Sequence, residues 1–184
     1  DFVAKNNDFI SFCKELSELN FSVKGNLEDL NNSKMKNGNL VKDNLVNLIS
    51  KIGEKIIIRR GHFFNNSKGK NFYYVHSSIE KNIGKIISIV NLDGIVKGKN
   101  EELGSKLAMH IAASNPLAVE KEGIDKKIVE KEMEIIKAEI INSGKPKEMV
   151  DKISQGKITK FLSENSLLNQ IWIMDAKKKV SEIL

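Results

Sequence analysis

Three histidines and one cysteine are the side chains of this 184-residue sequence with the widest chemical range. Imidazole and thiolate groups can act as general bases, nucleophiles or zinc ligands. Zinc sites bring such residues together in pairs that are a few positions apart in sequence. No pair has that spacing among Cys13, His62, His76 and His110. We therefore expect no metal site and no catalytic residue.

Nucleotide-binding loops are also missing. Ser143–Pro146, SGKP, keeps the Gly-Lys pair of a phosphate-binding loop but lacks the earlier glycine and the following hydroxyl group. Carboxylates are numerous, yet they lie beside lysines on predicted helix surfaces, where most are solvated and pair along the helix. This inventory predicts a protein that is not an enzyme and binds no cofactor.

His110 is the one polar residue that needs a separate explanation, because it lies on an apolar helix face. The stretch Leu107–Pro116, LAMHIAASNP, continues an apolar stripe of Leu103, Leu107 and Ile111. A histidine there can be a packed, hydrogen-bonded core residue, a ligand, a catalyst or a contact to a partner. From the residues alone, the packed histidine is the commonest case.

Charge and composition narrow the function classes. The formal net charge is +6, but Arg59 and Arg60 are the only arginines, and the lysines are scattered among 24 acidic residues. Nucleic-acid grooves favour clustered basic residues and the arginine fork, so we expect no nucleic-acid binding. The lone Cys13 suits a reducing cytoplasm, and no apolar run approaches the roughly 20 residues of a membrane span.

Two helices and three strands must position these side chains in the first half. Apolar periodicity predicts helices over Asp8–Leu19 and Leu40–Ile52, the second ended by Gly53, with a polar loop over residues 24–39 between them. β-Branched runs predict strands at Lys55–Phe64, Asn71–His76 and Gly84–Val90, and the turn NNSKGK joins the first two as a hairpin. The predicted fold class is α+β, with a three-stranded antiparallel sheet backed by helices.

The second half of the sequence is helical. We expect helices before Asn115-Pro116 and from Asp125 to Ser143-Gly144, and then two short helices separated by Gly156. This predicts three parts: a core subdomain at 1–98, further core helices at 99–142 and a protruding helical arm at 143–184.

Seven short motifs occur in a fixed order along the sequence. They are DFVAKNNDF, KIGEKIIIRR, YVH and IGKI, then AMHIAASNP at Ala108–Pro116, SGKPKEMVDKISQGKITKF at Ser143–Phe161 and SLLNQ. In this order they resemble bacterial elongation factor Ts, and AMHIAASNP and the run from Ser143 are the most specific. Where many members have Q-P-F, this chain has Gln170, Ile171 and Trp172, so it departs from the family after the glutamine. The resemblance implies a fragment that starts inside the family's TDFV motif, without its N-terminal three-helix domain and its C-terminal end.

The resemblance also implies a function and its residues. It implies a guanine-nucleotide exchange factor that binds elongation factor Tu with GDP, displaces Mg²⁺ and promotes GDP release in the bacterial cytoplasm. Asp1, Phe2 and Val3 match the motif that acts on the magnesium site of elongation factor Tu, and Ile83, Gly84 and His110 match further partner contacts. A homodimer through the helical arm is a further expectation. The alternative is a lysine-rich RNA- or ribosome-associated binding module.

Overall fold

The computed structural model describes residues 2–65, 68–94, 101–144 and 146–184. The chain forms two units, Asp1–Ser105 and Lys106–Leu184, which are described in turn. The helices and strands of the described residues are α1 Asn7–Ser22, α2 Leu27–Asn32, α3 Val41–Ile52, β1 Lys70–Glu80, β2 Ile83–Leu92, α4 Glu101–Ser114, α5 Lys126–Asn142 and α6 Lys147–Asn165. An α+β fold is therefore confirmed, whereas the three-part division of the chain and the protruding arm stay predictions.

The helices of the first unit begin and end where their sequence signals lie. Asn6 caps α1 by accepting from the backbone N–H groups of Asp8 and Phe9 at 2.9 and 3.2 Å. Gly53 ends α3 in the left-handed region at φ +80°. The two helices enclose a core of Phe12, Met35, Val41 and Leu48. The predicted helices at 8–19 and 40–52 are confirmed.

The prediction of a simple loop over residues 24–39 was wrong. Asn26 accepts from the N–H groups of Glu28 and Asp29 at 3.0 and 3.2 Å, which starts the short helix α2. The buried Leu30 anchors this helix, and Met35 continues into the core. Two buried apolar side chains, spread among asparagines, are therefore enough to order a segment whose composition is typical of a loop.

The sheet of the described residues has two strands, so the predicted third strand at Lys55–Phe64 was wrong. β1 pairs antiparallel with β2 in a register that places Phe72 opposite Val90 and Tyr73 opposite Ile89. The hairpin turns at Lys81–Asn82, with Asn82 at φ +62°, rather than at NNSKGK. The predicted strands at Asn71–His76 and Gly84–Val90 are confirmed within it.

The burial of Lys55–Phe64 alternates at its start, as in an extended backbone, but the segment pairs with no strand of the described residues. Its Ile56 and Ile58 pack on the α1–α3 core, whereas Ile57 between them is 65% exposed. The side-chain amide of Asn20 donates to the carbonyl of His62 at 3.0 Å. The alternating isoleucines therefore reflect burial of one face against helices. Such burial needs an extended backbone but no hydrogen-bonded partner strand.

A close contact joins the hairpin to the first turns of α4 inside this unit. The ring of Phe72 lies directly over Gly104, where an added Cβ would be 2.2 Å from the ring Cγ. Lys70 and Glu101 form an ion pair at 2.5 Å beside it. Because any side chain at position 104 would overlap the ring, this glycine sets how closely the strand approaches the helix.

In the second unit, α5 and α6 pack through a core of Ile136, Ile140, Val150 and Ile158. The helix α6 continues through Gly156, so the prediction of two short helices was wrong. Buried contacts on both sides of Gly156 outweigh its helix propensity, which is about 1 kcal/mol below that of alanine. No described helix is both long and apolar enough to span a membrane.

Candidate partner interface

Phe2 is the most exposed large apolar side chain of the described residues, at 79%. Its carbonyl accepts from the N–H of Lys5 at 3.2 Å and closes a 3₁₀ turn over Val3–Lys5. The carbonyl of Val3 accepts from Asn6, the cap of α1, at 3.0 Å. Local hydrogen bonds therefore fix the backbone of the turn while the phenyl ring points into solvent. Asp1, the third predicted residue of this motif, lies outside the described residues.

Ile83 and Gly84 start β2 directly after the hairpin turn. A Cβ at Gly84 would lie 2.4 Å from Cγ1 of Val75 and 2.8 Å from the carbonyl oxygen of His76. Only glycine fits this close approach between the strands. Both Ile83 and Gly84 line a shallow depression, which they share with Cys13 of α1.

An ion pair holds this depression together. Lys14 of α1 lies 2.5 Å from Glu80 at the end of β1, and both side chains are about half exposed. Burial raises the pKa of the Cys13 thiol, so the neutral form is favoured and the thiol is a poor nucleophile there. No group of three or more His, Cys, Asp or Glu side chains within the described residues could hold a metal ion.

His110 of the second unit is completely buried. Its Nε2 lies 3.0 Å from Oε1 of Gln170, and its ring stacks on Trp172 with 5.2 Å between centroids. The backbone N–H of Ile173 donates to Nδ1 at 3.4 Å. The amide of Gln170 is oriented by its own Nε2, which donates to the carbonyl of Glu164 at 2.8 Å. His110 therefore carries its proton on Nε2 and uses both nitrogens within the unit.

The surroundings of His110 favour its neutral form. Burial lowers the pKa of the imidazole, and the hydrogen bond to Gln170 partly opposes this shift. Neutral His110 fastens the segment after α6 onto α4. In the sequence, Gln170 stood out only as the last residue of the SLLNQ motif and Trp172 only as a departure from Q-P-F. The one available signal was that the lone tryptophan lies two residues after a glutamine, between apolar neighbours.

The predicted site residues therefore fall into two groups. Phe2, Val3, Ile83 and Gly84 belong to the first unit, and among its described residues no hydrogen bond joins Phe2–Val3 to Ile83–Gly84. His110 belongs to the second unit and is described with it. Their assignment to a partner interface stays a prediction.

Comparison with known proteins decides the family. The family model described as elongation factor TS matches residues 1–184, the whole chain. The chain belongs to the elongation factor Ts family. The elongation factor Ts proteins of Rickettsia bellii (strain OSU 85-389) and Erythrobacter litoralis (strain HTCC2594) are 34% and 36% identical to it over 186 residues. That of Orientia tsutsugamushi (strain Boryong) is 36% identical over 188 residues.

The matched relatives are longer than this chain. Each of these three alignments covers 100% of the chain and 60% of the relative. The resemblance inferred from the ordered motifs is confirmed over all 184 residues, and with it the assignment to a family of bacterial translation elongation factors.

Proposed function

We propose that this chain takes part in nucleotide exchange on elongation factor Tu in the bacterial cytoplasm. The observation that carries the proposal is the ring of Phe2, 79% exposed in front of a capped helix, within the motif that the elongation factor Ts family uses at the magnesium site of its partner. An apolar ring held out by a fixed turn is a ready wedge for a pocket in another protein. The proposed exchange needs no catalytic residue and no cofactor of its own.

The energy available to such a wedge is sufficient. Burying one phenylalanine ring contributes about 1.5–3 kcal/mol, and a central anchor of an interface can lose more than about 2 kcal/mol on truncation. If the partner's pocket opens only in the state that holds Mg²⁺ and GDP poorly, this energy favours that state. Nucleotide must then weaken binding of the factor by the same ratio, because the two binding equilibria are linked.

Ile83 and Gly84 form the second proposed contact. Val75 of β1 fills the space where a Cβ of Gly84 would lie, and the Lys14–Glu80 pair joins this end of the hairpin to α1. The proposed contact is therefore the depression beside Cys13, which Ile83 and Gly84 line. Asp1 and Val3 would complete the contact around Phe2.

For His110, burial favours an indirect role. Neutral His110 holds a segment whose neighbouring side chains Ile171, Ile173 and Met174 are 53%, 42% and 45% exposed. We assign His110 as a positioning residue for this apolar group, which would meet the partner in its place. A homodimer through the helical arm stays a prediction.

The test is stopped-flow release of a fluorescent GDP from elongation factor Tu, measured in the full-length protein. Phe2→Ala is expected to slow stimulated release roughly 10- to 100-fold, at about 1.4 kcal/mol per tenfold change. Phe21→Ala is the matched control, because Phe21 is 68% exposed in the same unit but lies outside the motif. Wild-type release from Phe2→Ala, in a protein that still binds its partner, would show that Phe2 is not the wedge.

A further inference from the structure

The net positive charge of the chain comes from one stretch of the sequence. Residues 55–92 contain seven Lys and Arg and a single acidic residue, Glu80, so this stretch alone carries +6. All other residues together contain 23 basic and 23 acidic side chains and balance to zero. The stretch also holds both arginines, Arg59 and Arg60. The scattered lysines of the whole sequence therefore hide a local excess that is as large as the entire net charge.

Aromatic side chains are concentrated in the same stretch and line a cleft. Between the outer face of the hairpin and the end of α1, a cleft of about 420 Å³ is lined by Phe21, Phe63, Phe64 and Tyr73. Phe21 and Tyr73 are 68% and 56% exposed. Phe21 meets Phe63 edge to face, with 5.3 Å between centroids. The exposed rings of Phe21 and Tyr73 therefore border this cleft.

An arginine-lined depression adjoins this cleft. His62 lines the cleft and also a second depression, of about 520 Å³, together with Arg59 and Arg60. Both arginines are exposed, and no acidic side chain of the described ranges 2–65, 68–94, 101–144 and 146–184 forms an ion pair with either of them. The bond from Asn20 to the carbonyl of His62 fixes the backbone between the two concavities.

We propose that the cleft and the depression together bind a single strand of nucleic acid. Unpaired bases would stack on Phe21 and Tyr73, and the phosphates would contact Arg59 and Arg60. An apolar protein segment would use the cleft but not the unpaired arginines, and a duplex would use the arginines but not the cleft. The combination fits a strand with free bases better than either of these. This proposal revises the expectation of no nucleic-acid binding, which averaged the charge over the whole sequence.

Charge reversal tests the phosphate contacts. Binding of a fluorescein-labelled oligouridine of roughly 12 nucleotides to the 184-residue chain is measured by anisotropy at several salt concentrations. The double variant R59E/R60E is expected to bind at least about tenfold more weakly, with a log–log salt slope smaller by about 1.4, since each phosphate contact to a single strand contributes about 0.7. The control K177E/K178E reverses two neighbouring exposed lysines of the second unit and should bind like the wild type.

Aromatic substitution tests the cleft. Tyr73→Ser and Phe21→Ser should each weaken binding about 5- to 150-fold, the range reported for one stacked base. Val46→Ser is the control, because Val46 is an exposed apolar side chain of the same unit that lies outside the cleft. A duplex of the same length should bind more weakly than the single strand. Photo-crosslinking of an iodouridine strand to the unaltered chain, which needs no variant, should yield adducts at Tyr73 or Phe21.

Three results would overturn the proposal. The first is no binding of the oligouridine at low salt. The second is an equal loss from R59E/R60E and K177E/K178E, which would indicate general electrostatic attraction. The third is unchanged binding by both Tyr73→Ser and Phe21→Ser. None of these variants alters Phe2, Ile83 or Gly84, so nucleotide exchange can fail or succeed independently.

Discussion

Gly104→Ala is expected to destabilise the protein, although glycine-to-alanine changes within helices usually stabilise. The new Cβ would lie 2.2, 2.3 and 2.6 Å from three atoms of the Phe72 ring, where ordinary contact begins at 3.4 Å. The ring would have to retreat by about 1.2 Å, the difference between the closest distance and ordinary contact. Phe72 is only 6% exposed, so the neighbouring buried groups limit that movement.

The magnitude follows from two opposing terms. Overpacking a buried site costs about 1–3 kcal/mol, and the gain in helix propensity offsets about 1 kcal/mol of it. Gly104→Ala should therefore lower the free energy of unfolding by up to about 2 kcal/mol. Gly156→Ala is the matched control, because it also lies inside a helix but an added Cβ meets nothing within 4 Å. It should raise the free energy of unfolding by about 1 kcal/mol.

Urea unfolding followed by far-ultraviolet circular dichroism measures both variants. Gly104→Ala should lower the free energy of unfolding less in a Phe72→Leu background than in the wild type. The smaller leucine side chain makes room for the methyl group. Equal stabilisation by Gly104→Ala and Gly156→Ala would refute the close packing of α4 on β1. So would an unchanged penalty for Gly104→Ala in the Phe72→Leu background.

Three further predictions concern His110 and Gly84. His110→Ala should lower the free energy of unfolding of the second unit by about 1–3 kcal/mol, because Oε1 of Gln170 loses its buried donor. The fluorescence of Trp172 during urea unfolding measures this loss. Because burial lowers the pKa of folded His110, the unfolded chain binds the proton first; stability is fully present above pH 6.5 and falls as the pH drops below it. Urea unfolding measured from above pH 6.5 downward should show this loss of stability in the wild type but not in His110→Gln. Gly84→Ala should cost about 1–3 kcal/mol through overlap with Val75, read from thermal melts, and a wild-type melting temperature would contradict the close approach.

Local signals in the sequence predicted elements that are stabilised locally. Gly53 was predicted to end the second helix and does so through its own φ, and apolar periodicity predicted the first helix, which Asn6 caps within three residues. The strand at Lys55–Phe64 was predicted wrongly because alternation of apolar residues indicates only that one face is buried. Whether that face packs on a second strand or on helices depends on residues far along the chain.

The candidate site divides in the same way. The motif around Phe2 could be recognised from consecutive residues, and its exposure agrees with that interpretation. The partner of His110, in contrast, lies 60 residues away, and no spacing rule connects an imidazole to Gln170 over that distance. The local charge excess at 55–92 was present in the sequence but was lost in a whole-chain average.

The unpaired, extended segment Lys55–Phe64 has a practical consequence for anyone who purifies this protein. Proteases bind their substrates as extended strands, and this segment presents Arg59 and Arg60, both exposed, in that shape without a ladder to break first. Trypsin should therefore cut here early. Because Ile56 and Ile58 stay packed in the core on one side of the cut, the nicked chain would keep its size in gel filtration. Two pieces would become visible only on a denaturing gel.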